Sequence, residues 1–353
     1  MKIIVGFITY NQNSFKYLPF FLPSLKSSLM VLKDDYEIFV LDNSVNFGGN
    51  QEYISKFAKE NNLDDKISFF SLGFNSGFAK GFNFLINKSI AIKADLFMAI
   101  NPDTILEESS ISELIKKFNN DDKISSLTPK ILNWDFVNNK KTNIIDSLGI
   151  GIDKFHHFFD IGQGKIDNNN QSIEVFGASG AAVVYNIKAL QDVAFDNGKS
   201  LEFFDELMFM YKEDVDLSYR LRLAGWKSFV VPESIIYHDR SLSSLSYDVF
   251  SLIFKKKDSF RSLSYLNQLI VLLKFRKLNF SFKIKFFSFL RFFLLVFYGL
   301  FFNFVQIKQI IKLMPEIEKR RKHLKIIEYC VQDIERLIKK AWFYWLKLLL
   351  TYF

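Results

Sequence analysis

Three carboxylates, Glu213, Asp214 and Asp216, stand where an apolar run ends and a helical pattern begins. Carboxylates in a first helical turn are stabilised by the helix dipole and the free N–H groups, so we expect them to stay ionised at neutral pH. An ionised carboxylate held at a helix end can accept the proton of a substrate hydroxyl. On spacing alone the structural alternative is favoured, because acidic residues often cap helices and Asp216 with Arg220 is an ordinary i,i+4 pair.

Apolar runs typical of buried strands alternate with helical patterns over the first hundred residues. The predicted strands cover 2–10, 36–41, 66–72 and 95–100, and the predicted helices cover 15–32, 52–60 and a stretch ending near 92. This alternation predicts a mainly parallel sheet, in which ligands bind beyond the carboxyl ends of the strands. Polar residues follow all four strands and therefore indicate one site: Thr9, Asn11, Asp42, Asn75 and Asp103.

Each polar strand end has a chemical interpretation and a structural alternative. Asp42 can accept a hydrogen bond from a nucleoside base or a ribose hydroxyl, or it can cap a turn. The glycine-containing loop over 75–83 opens a helix, where an anion can bind, although it lacks the ending of a Walker A loop. Asp103 can hold a divalent cation together with nucleotide phosphates, or it can belong to an Asn-Pro-Asp turn.

The composition bounds the class of protein. The 353 residues predict two or three structural units with a large core, and Phe alone supplies 42 of them. A single cysteine, Cys330, excludes an internal disulfide or a cysteine metal cluster and fits a reducing compartment. The apolar run over 3–8 is too short for a signal peptide and is interpreted as the first strand.

Charge is unevenly distributed along the chain. Residues 251–353 hold 21 Lys and Arg against 6 Asp and Glu, a net charge of +15, whereas the remainder is −7. A basic segment predicts an anionic partner, either a nucleic acid or a membrane surface. Interleaved Phe and Leu residues favour the membrane, so no nucleic acid is expected.

The stretch over 286–307 has the length of a bilayer span but contains Arg291. As a helix it has a narrow polar face, so we expect it to lie in the membrane interface, with a true span as the second alternative. The basic run over 319–322 is expected to contact anionic headgroups. A third alternative is that these helices pack on the body or on a second subunit. Rings that favour membrane interfaces are Trp342, Tyr344, Trp345, Tyr352 and Phe353.

Together these motifs resemble glycosyltransferase family 2 enzymes with the GT-A fold. They are most similar to the bacterial rhamnosyltransferase-like branch, which builds O-antigen and other surface glycans. The resemblance covers about residues 3–240 and depends on the order and spacing of the motifs. The matching stretches are 9–11, 42–44, 75–83, 101–103, 162–164, 177–181, 204–206, 213–217, Arg220, 225–226 and His238.

The resemblance implies roles for the acidic residues. Asp214 corresponds to the catalytic base of the family, with Glu213 beside it. Asp103 corresponds to the main protein ligand of a divalent cation, Mg²⁺ or Mn²⁺, because Asn101 replaces the first Asp of the motif. His238 matches a family histidine that joins the metal or diphosphate shell. The cation would neutralise charge on the β-phosphate of the leaving group.

The resemblance also implies which residues hold the substrates. Arg220 has two alternatives, facing the diphosphate or pairing with Asp216. The glycines near 177–181 allow the backbone to approach the sugar, or they serve packing in a tight turn. The implied sugar- or acceptor-binding residues are Gly177, Ala178, Ser179 and Gly180. The implied donor-binding residues are Thr9, Tyr10, Asn11, Asp42, Asn75, Gly77, Phe78, Gly81, Asn83, Asn101, Asp103 and Arg220.

The resemblance therefore implies an inverting glycosyltransferase. A rhamnose-like deoxyhexose is the favoured sugar, moved from a dTDP- or UDP-linked donor to a hydroxyl of a lipid-linked or surface-polysaccharide acceptor. Galactose, galactofuranose, glucose and N-acetylhexosamine are alternatives by the same mechanism. A non-catalytic nucleotide-binding scaffold of a glycan assembly complex is the alternative from another class.

The expected architecture is an α/β GT-A catalytic domain followed by a membrane-associating helical region. The GT-A domain is expected over 1–245, with a nucleotide-binding half over 1–103 and an acceptor half over 104–245. The C-terminal segment, defined as residues 246–353, is expected to form the basic, Phe-rich helical region. The expected location is the cytoplasmic face of the inner or plasma membrane, with peripheral or monotopic attachment, and a homo-oligomer is left open.

Overall fold

A computed structural model of the protein describes residues 1–46, 48–118, 121–168, 170–240 and 259–338. The four predicted strands form β1 (Lys2–Thr9), β2 (Asp35–Asp42), β3 (Ile67–Ser71) and β4 (Leu96–Ile100). They pair in parallel in the order β3-β2-β1-β4. These strands carry apolar residues on both faces because helices cover both sides of the sheet. The predicted parallel sheet of the first half is therefore confirmed.

Helices connect these strands, and one of them differs from its predicted form. The helix expected over 15–32 is two helices, α1 (Asn11–Phe15) and α2 (Leu18–Met30). Pro19 lies in the first turn of α2. N–H groups of a first turn make no hydrogen bond within the helix, so a proline without an N–H is tolerated there and favours a new helix start. The other two helices are α3 (Gly49–Glu60) and α4 (Gly77–Ala91).

The second half of the body adds strands to the same sheet, which becomes mixed. The added elements are β5 (Thr104–Leu106), α5 (Ser110–Phe118), β6 (Ile124–Asp135), β7 (Lys140–Ser147), β8 (Ile150–Ile152), β9 (Phe158–Asp160), β10 (Glu174–Val175), β11 (Ala182–Asn186), α6 (Ile187–Asp192), β12 (Phe195–Asp196), β13 (Leu201–Glu202), α7 (Glu213–Leu223) and β14 (Lys227–His238). The ten-stranded sheet has the order β10-β14-β6-β11-β4-β1-β2-β3, with β5 paired to β14 and β7 paired to β6. Strand β11 is antiparallel to both neighbours, whereas β14 runs parallel to β6.

Four helices follow in the C-terminal segment: α8 (Ser259–Phe275), α9 (Phe282–Phe302), α10 (Phe304–Lys322) and α11 (Glu328–Leu337). They share one hydrophobic cluster with α7, in which Val215 and Tyr219 pack among buried residues such as Leu269 and Ile317. The alternative of packing on the body therefore describes these helices, and they are not a free tail. The expected boundary at 245 and the rings beyond 338 lie outside the described residues.

The contacts of the basic run over 319–322 differ from the predicted contacts with lipid headgroups. Arg320 is 9 % exposed and forms ion pairs with Glu202 and Asp205 of the body. Arg321 pairs with Glu318 on its own helix. The expectation that the whole run contacts headgroups is therefore wrong, because one of its charges neutralises buried carboxylates of the body instead.

Helix α9 is amphipathic, and its polar side faces the protein from Arg291 onward, whereas Lys285 near its start is exposed. Arg291, Gly299 and Asn303 on the predicted polar arc are buried, whereas Phe282 and Phe301 are 84 % and 68 % exposed. Within the described part of the chain, α9 is the one helix long and apolar enough to cross a membrane. The helix ends at Phe302, five residues before the predicted end, and Asn303 separates it from α10.

Candidate active site

The carboxyl ends of β1, β2 and β3 meet at one edge of the sheet, because Thr9 pairs with Asp42 and Asp42 with Ser71. Asp42 Oδ1 accepts hydrogen bonds from the Ser44 N–H at 3.0 Å and the Ser44 hydroxyl at 2.6 Å. The Ser44 hydroxyl in turn accepts the Asn11 N–H at 2.7 Å. The polar strand ends predicted to lie together are thus linked, and Asp42 also makes the turn contact named as its alternative.

An open pocket of about 300 Å³ lies beside this edge and is lined by Tyr10, Asn11, Val45 and Asn46. The side-chain oxygen of Thr9 is buried and has no hydrogen-bond partner among the described residues. A pocket with one aromatic ring and two amides suits a planar, polar group such as a nucleoside base. The donor-binding residues predicted from β1 therefore border a cavity of suitable chemistry.

The glycine-containing loop before α4 holds neighbouring segments together. Gly77 has φ +71°, and a Cβ there would lie 2.4 Å from the Phe209 carbonyl oxygen, so the position requires glycine. The Gly77 N–H donates to Asn75 Oδ1 at 3.0 Å, and the Phe78 N–H donates to the Phe209 oxygen at 2.9 Å. These two amides are already used within the protein, so they do not form the predicted anion site. Gly81 serves packing, since a Cβ would lie 2.7 Å from Ile8.

Asn83 has a structural task that differs from its predicted donor contact. Its amide nitrogen donates to the Phe204 carbonyl at 2.8 Å and to Glu206 Oε1 at 3.0 Å. Its oxygen accepts the N–H groups of Phe203 and Phe204 at 3.0 and 2.8 Å. Both the nitrogen and the oxygen of the buried amide already have hydrogen-bond partners. The amide therefore fixes α4 to the segment before the acidic cluster and has no group left to bind a nucleotide-sugar donor.

Arg220 follows the second of its two predicted alternatives. Its side chain is 2 % exposed, and its Nε donates to Asp216 at 2.8 Å. The remaining guanidinium nitrogens donate to the carbonyls of Val193 and Phe203. The donor-binding prediction for Arg220 is therefore wrong, because burial in this network turns its charge away from solvent and from any diphosphate.

Asp103 and His238 lie together, as the motifs imply. His238 Nε2 is 3.5 Å from Asp103 Oδ2, and His238 Nδ1 is 2.9 Å from Asp146 Oδ2. The contact arises because β14 pairs with β5, which sets His238 opposite Thr104. Burial lowers the pKa of His238, but the charges and hydrogen bonds of Asp103 and Asp146 outweigh it and raise the pKa to about 10. Without a cation His238 is therefore protonated at neutral pH, and a cation at Nε2 would take the place of that proton.

This pair fits a divalent cation. Asp103 Oδ1 is buried and has no hydrogen-bond partner among the described residues, so it is available as a ligand. Asp146 on the far side of the His238 ring would orient the imidazole, the usual arrangement behind a metal-bound histidine. No group of three or more His, Cys, Asp or Glu residues that could hold a metal occurs in the described ranges. Two protein ligands leave room for water and substrate phosphates, which suits Mg²⁺ or Mn²⁺.

Two further residues extend this cluster, and sequence reasoning missed their roles. Arg240 Nε lies 2.7 Å from Asp146 Oδ1, and another guanidinium nitrogen lies 2.6 Å from Asp160 Oδ2. Asp146 is in β7 and Asp160 ends β9, and neither belongs to a stretch that the motifs single out. Their charge was visible in the sequence, but their meeting with β14 depends on long-range strand placement.

The acidic cluster begins α7 as predicted, and the structure adds burial. Burial, followed by the charge of Asp214, raises the pKa of Glu213 well above its ordinary value. Burial also raises the pKa of Asp214, against the opposing charge of Lys212. The expected effect of the helix dipole is therefore outweighed by burial. A raised pKa makes the ionised carboxylate a stronger proton acceptor.

Backbone amides hold Asp214 in place. Its Oδ2 accepts the Gly180 N–H at 3.3 Å, and its Oδ1 accepts the Val215 N–H at 2.8 Å. Gly177 instead serves packing, because a Cβ there would lie 1.9 Å from the Ser218 hydroxyl of α7. Ala178 and Ser179 between them are buried. Of the four residues predicted to approach the sugar, Gly180 is the one in contact with the acidic pair.

A chain of ion pairs extends from the candidate cation site. Asp103, His238, Asp146, Arg240 and Asp160 follow one another as ion-pair partners. Burial is the main cause of the raised pKa of Asp214, and the negative charge of Asp160 adds to it. A candidate cation site at a sheet edge, an open polar pocket and a half-buried carboxylate at a helix start are the features expected of enzymes that act on nucleotide sugars with the GT-A fold.

The chain belongs to glycosyl transferase family 2, whose family model matches residues 4–194. This range covers more than half of the 353 residues and includes the strand ends at Asp42 and Asp103. The family and the enzyme class implied by the motifs are confirmed, whereas the rhamnosyltransferase-like branch stays a prediction. A sequence search among curated proteins gives no match.

Solved structures with the same fold are glycosyltransferases. GalNAc-T7 with UDP, GalNAc and Mn²⁺ has a TM-score of 0.53 at 12 % identity, over 82 % of this chain and 55 % of that one. A mannosyltransferase from Pyrobaculum calidifontis with GDP-Man and Mn²⁺ has a TM-score of 0.50 at 10 % identity, over 96 % and 87 %. Staphylococcus aureus TarS 1-349 with UDP has a TM-score of 0.52 at 17 % identity, over 95 % and 91 %. This chain thus spans about half the length of GalNAc-T7, and the predicted GT-A fold is confirmed.

Proposed function

We propose that this family 2 enzyme transfers a sugar with inversion from a nucleoside diphosphate donor to a hydroxyl of a lipid-linked or surface-polysaccharide acceptor. The observation that carries the proposal is the position of Asp214 at the start of α7, half-buried and held by two backbone amides, in a chain whose β14–β5 pairing brings Asp103 and His238 together. One carboxylate base on the acceptor side, opposite a leaving diphosphate, is the requirement of an inverting transfer.

The chemistry follows from this arrangement. Asp214 accepts the proton of the acceptor hydroxyl while that oxygen attacks the anomeric carbon, and the nucleoside diphosphate leaves with the bonding electrons. Asp103 and His238 would hold a divalent cation, and such a cation would supply charge neutralisation for the departing diphosphate. Tyr10 and Asn11 border the pocket for the base, and Asp42 lies at the same edge. Burial, followed by the charge of Asp214, raises the pKa of Glu213, so the site disfavours a second negative charge beside Asp214.

The donor of this proposal is a dTDP- or UDP-linked sugar, with a rhamnose-like deoxyhexose favoured by the motif resemblance. Structures of similar fold contain UDP in GalNAc-T7 and TarS and GDP-Man in the Pyrobaculum calidifontis mannosyltransferase. Galactose, galactofuranose, glucose and N-acetylhexosamine donors remain alternatives that use the same residues. The assay is therefore a panel of dTDP-, UDP- and GDP-sugars with Mg²⁺ or Mn²⁺, read out as release of nucleoside diphosphate.

The test of the mechanism is Asp214→Asn in that assay. We expect turnover to fall by about 100-fold or more, since a positioned base contributes 10²–10⁴-fold. Nucleotide binding, measured by calorimetry, is expected to stay within a few fold because Asp214 acts on the acceptor. Near-normal turnover in Asp214→Asn would overturn the assignment of the base. No hydrolysis or transfer from any donor would favour the non-catalytic scaffold.

We further propose that α9 attaches the enzyme to the cytoplasmic face of the membrane, lying in the interface. Its buried Arg291 and the buried Asn303 just beyond its end face the protein, and its exposed side carries Phe289 and Phe293 at 67 % and 56 % exposure. Burial of each such ring in lipid stabilises the bound state by about 1.5–3 kcal/mol. A lipid-linked acceptor stays in the bilayer, so an enzyme held at its surface meets that acceptor directly.

The attachment is tested by sedimentation of the protein with vesicles that contain anionic lipid. We expect Phe289→Ser with Phe293→Ser to release the protein, whereas Val137→Ser with Ile166→Ser, exposed apolar residues of the body, leaves binding unchanged. Equal binding of both double variants would contradict the role of α9. A reporter fused after Phe353 and found outside the cytoplasm would mean that the chain crosses the bilayer.

A further inference from the structure

The turn before α7 has an uncommon backbone conformation. Tyr211 and Lys212 have φ values of +71° and +70°, in the left-handed region that residues other than glycine seldom adopt. Each such residue costs about 1–3 kcal/mol unless its surroundings impose the conformation. Glu213 and Asp214 follow immediately, so the direction of this turn determines where the Asp214 carboxylate lies.

A side chain from the C-terminal segment imposes that conformation. The Asn267 amide nitrogen of α8 donates to the Met210 carbonyl at 2.9 Å and to the Tyr211 carbonyl at 2.7 Å. Asn267 is fully buried, and its own amide oxygen has no hydrogen-bond partner in the described ranges. A buried amide with one unsatisfied atom costs stability. Its presence is therefore explained better by the two carbonyls that it holds than by a gain for the fold.

Two other contacts complete the support of the turn. On its N-terminal side, the Phe209 carbonyl accepts the Phe78 N–H of α4 at 2.9 Å. On the side of α7, Lys274 of α8 forms ion pairs with Asp205 and Asp216, all three fully buried. Helix α8 is thus fixed to α7 at one point, and it reaches the turn at another through Asn267.

We propose that Asn267 is a positioning residue for the catalytic base. By holding the two carbonyls it keeps the left-handed turn in place and orients Asp214 toward the acceptor. The C-terminal segment is then part of the catalytic machinery as well as a membrane attachment. This inference rests on the proposed function, in which Asp214 is the base, and it adds a residue that lies outside the matched family range of 4–194.

The test compares Asn267→Ala with Gln268→Ala in the full-length protein. Gln268 is the adjacent amide of the same helix, 6 % exposed, and its nitrogen donates to the His156 carbonyl at 3.5 Å, away from the turn. We expect Asn267→Ala to lower kcat about 10- to 100-fold with nucleotide Kd within a few fold, as for a base displaced by about 1 Å. Gln268→Ala is expected to keep kcat within a few fold.

Hydrogen exchange gives a second readout that does not depend on activity. Peptides covering 209–215 are expected to exchange faster in Asn267→Ala than in Gln268→Ala, because the turn loses its support. If Asn267→Ala unfolds, Asn267→Ser, which keeps a hydroxyl donor, carries the same comparison. Equal kcat and equal exchange in the Asn267 and Gln268 variants would overturn the proposal. An active Asp214→Asn would instead remove the proposed base itself, so the two failures are distinguishable.

Discussion

Replacement of Lys274 by Met is the most direct test of how the C-terminal segment joins the body. Lys274, Asp205 and Asp216 are all fully buried, and the Lys274 ammonium contacts both carboxylates. Removal of one partner of a buried ion pair leaves an uncompensated charge and costs about 3–5 kcal/mol. Arg220 still pairs with Asp216, and Arg320 with Asp205. We therefore expect a loss near the lower end, about 3 kcal/mol.

The pH dependence of this loss has a defined sign. Burial raises the pKa of Asp205, but the charges of Lys274 and Arg320 outweigh it and hold the pKa below the ordinary 3.8. In the parent protein the stability from Asp205 is therefore present above about pH 4 and lost as the pH falls further. Without Lys274 the pKa of Asp205 rises. Protonation of Asp205 then removes part of the uncompensated buried charge as the pH falls from about 7 to about 5. The deficit of Lys274→Met is expected to shrink over that range.

The assay is urea unfolding of Lys274→Met at both pH values, with Lys277→Met as the matched control. Lys277 lies three residues after Lys274, just beyond the end of α8 at Phe275, and is exposed, so the loss of stability in Lys277→Met is expected to stay within about 0.5 kcal/mol. A double variant with Asp216→Asn is expected to lose less than the sum of the single losses, because the two residues interact directly. Equal losses for the two lysine variants, or strict additivity, would refute the argument from burial.

Three further predictions follow from the site and the packing. Gly77→Ala is expected to cost about 1–3 kcal/mol of unfolding free energy in thermal or urea denaturation, since it meets the Phe209 carbonyl at positive φ; unchanged stability would mean that the loop adapts freely. Asp103→Ala is expected to weaken Mn²⁺ binding by calorimetry about tenfold or more, with partial recovery of activity in excess metal; activity indifferent to EDTA would remove the metal role. Truncation after Arg240 is expected to give an insoluble body, because α7 loses the apolar cover of α8 and α10; a soluble, folded product would contradict this.

The sheet could be predicted closely because its signal is local. A strand buried on both faces is a continuous apolar run, and β1 and β4 were placed within one residue of their ends. The parallel order then brings Asp42 and Asp103 to one edge without further information. Residues whose role depends only on the strand that carries them were therefore found from the sequence.

Residues whose role depends on a distant partner could not be identified from the sequence. Asn83 was expected to contact the donor, but its partners are 120 residues away in the segment before the acidic cluster. Arg220 offers the same charge to a diphosphate or to Asp216, and the sequence cannot choose until burial is known. Asp146 and Asp160 join the site only because β7 and β9 approach β14. Side-chain type limits the chemistry, whereas tertiary placement decides the partner.

The same reasoning changes what the charge of the C-terminal segment means. Its excess of Lys and Arg predicted attraction to an anionic surface, yet Lys274 and Arg320 are buried against Asp205, Asp216 and Glu202. These two charges therefore neutralise carboxylates of the body, and the electrostatic part of the proposed membrane binding is expected to be smaller than the net charge suggests. At physiological salt the attraction between exposed charges decays over about 8 Å, whereas the burial of Phe rings is not screened. Membrane binding through α9 should thus resist salt more than the sequence alone implies, and mutation of the Phe face should release the protein where salt does not.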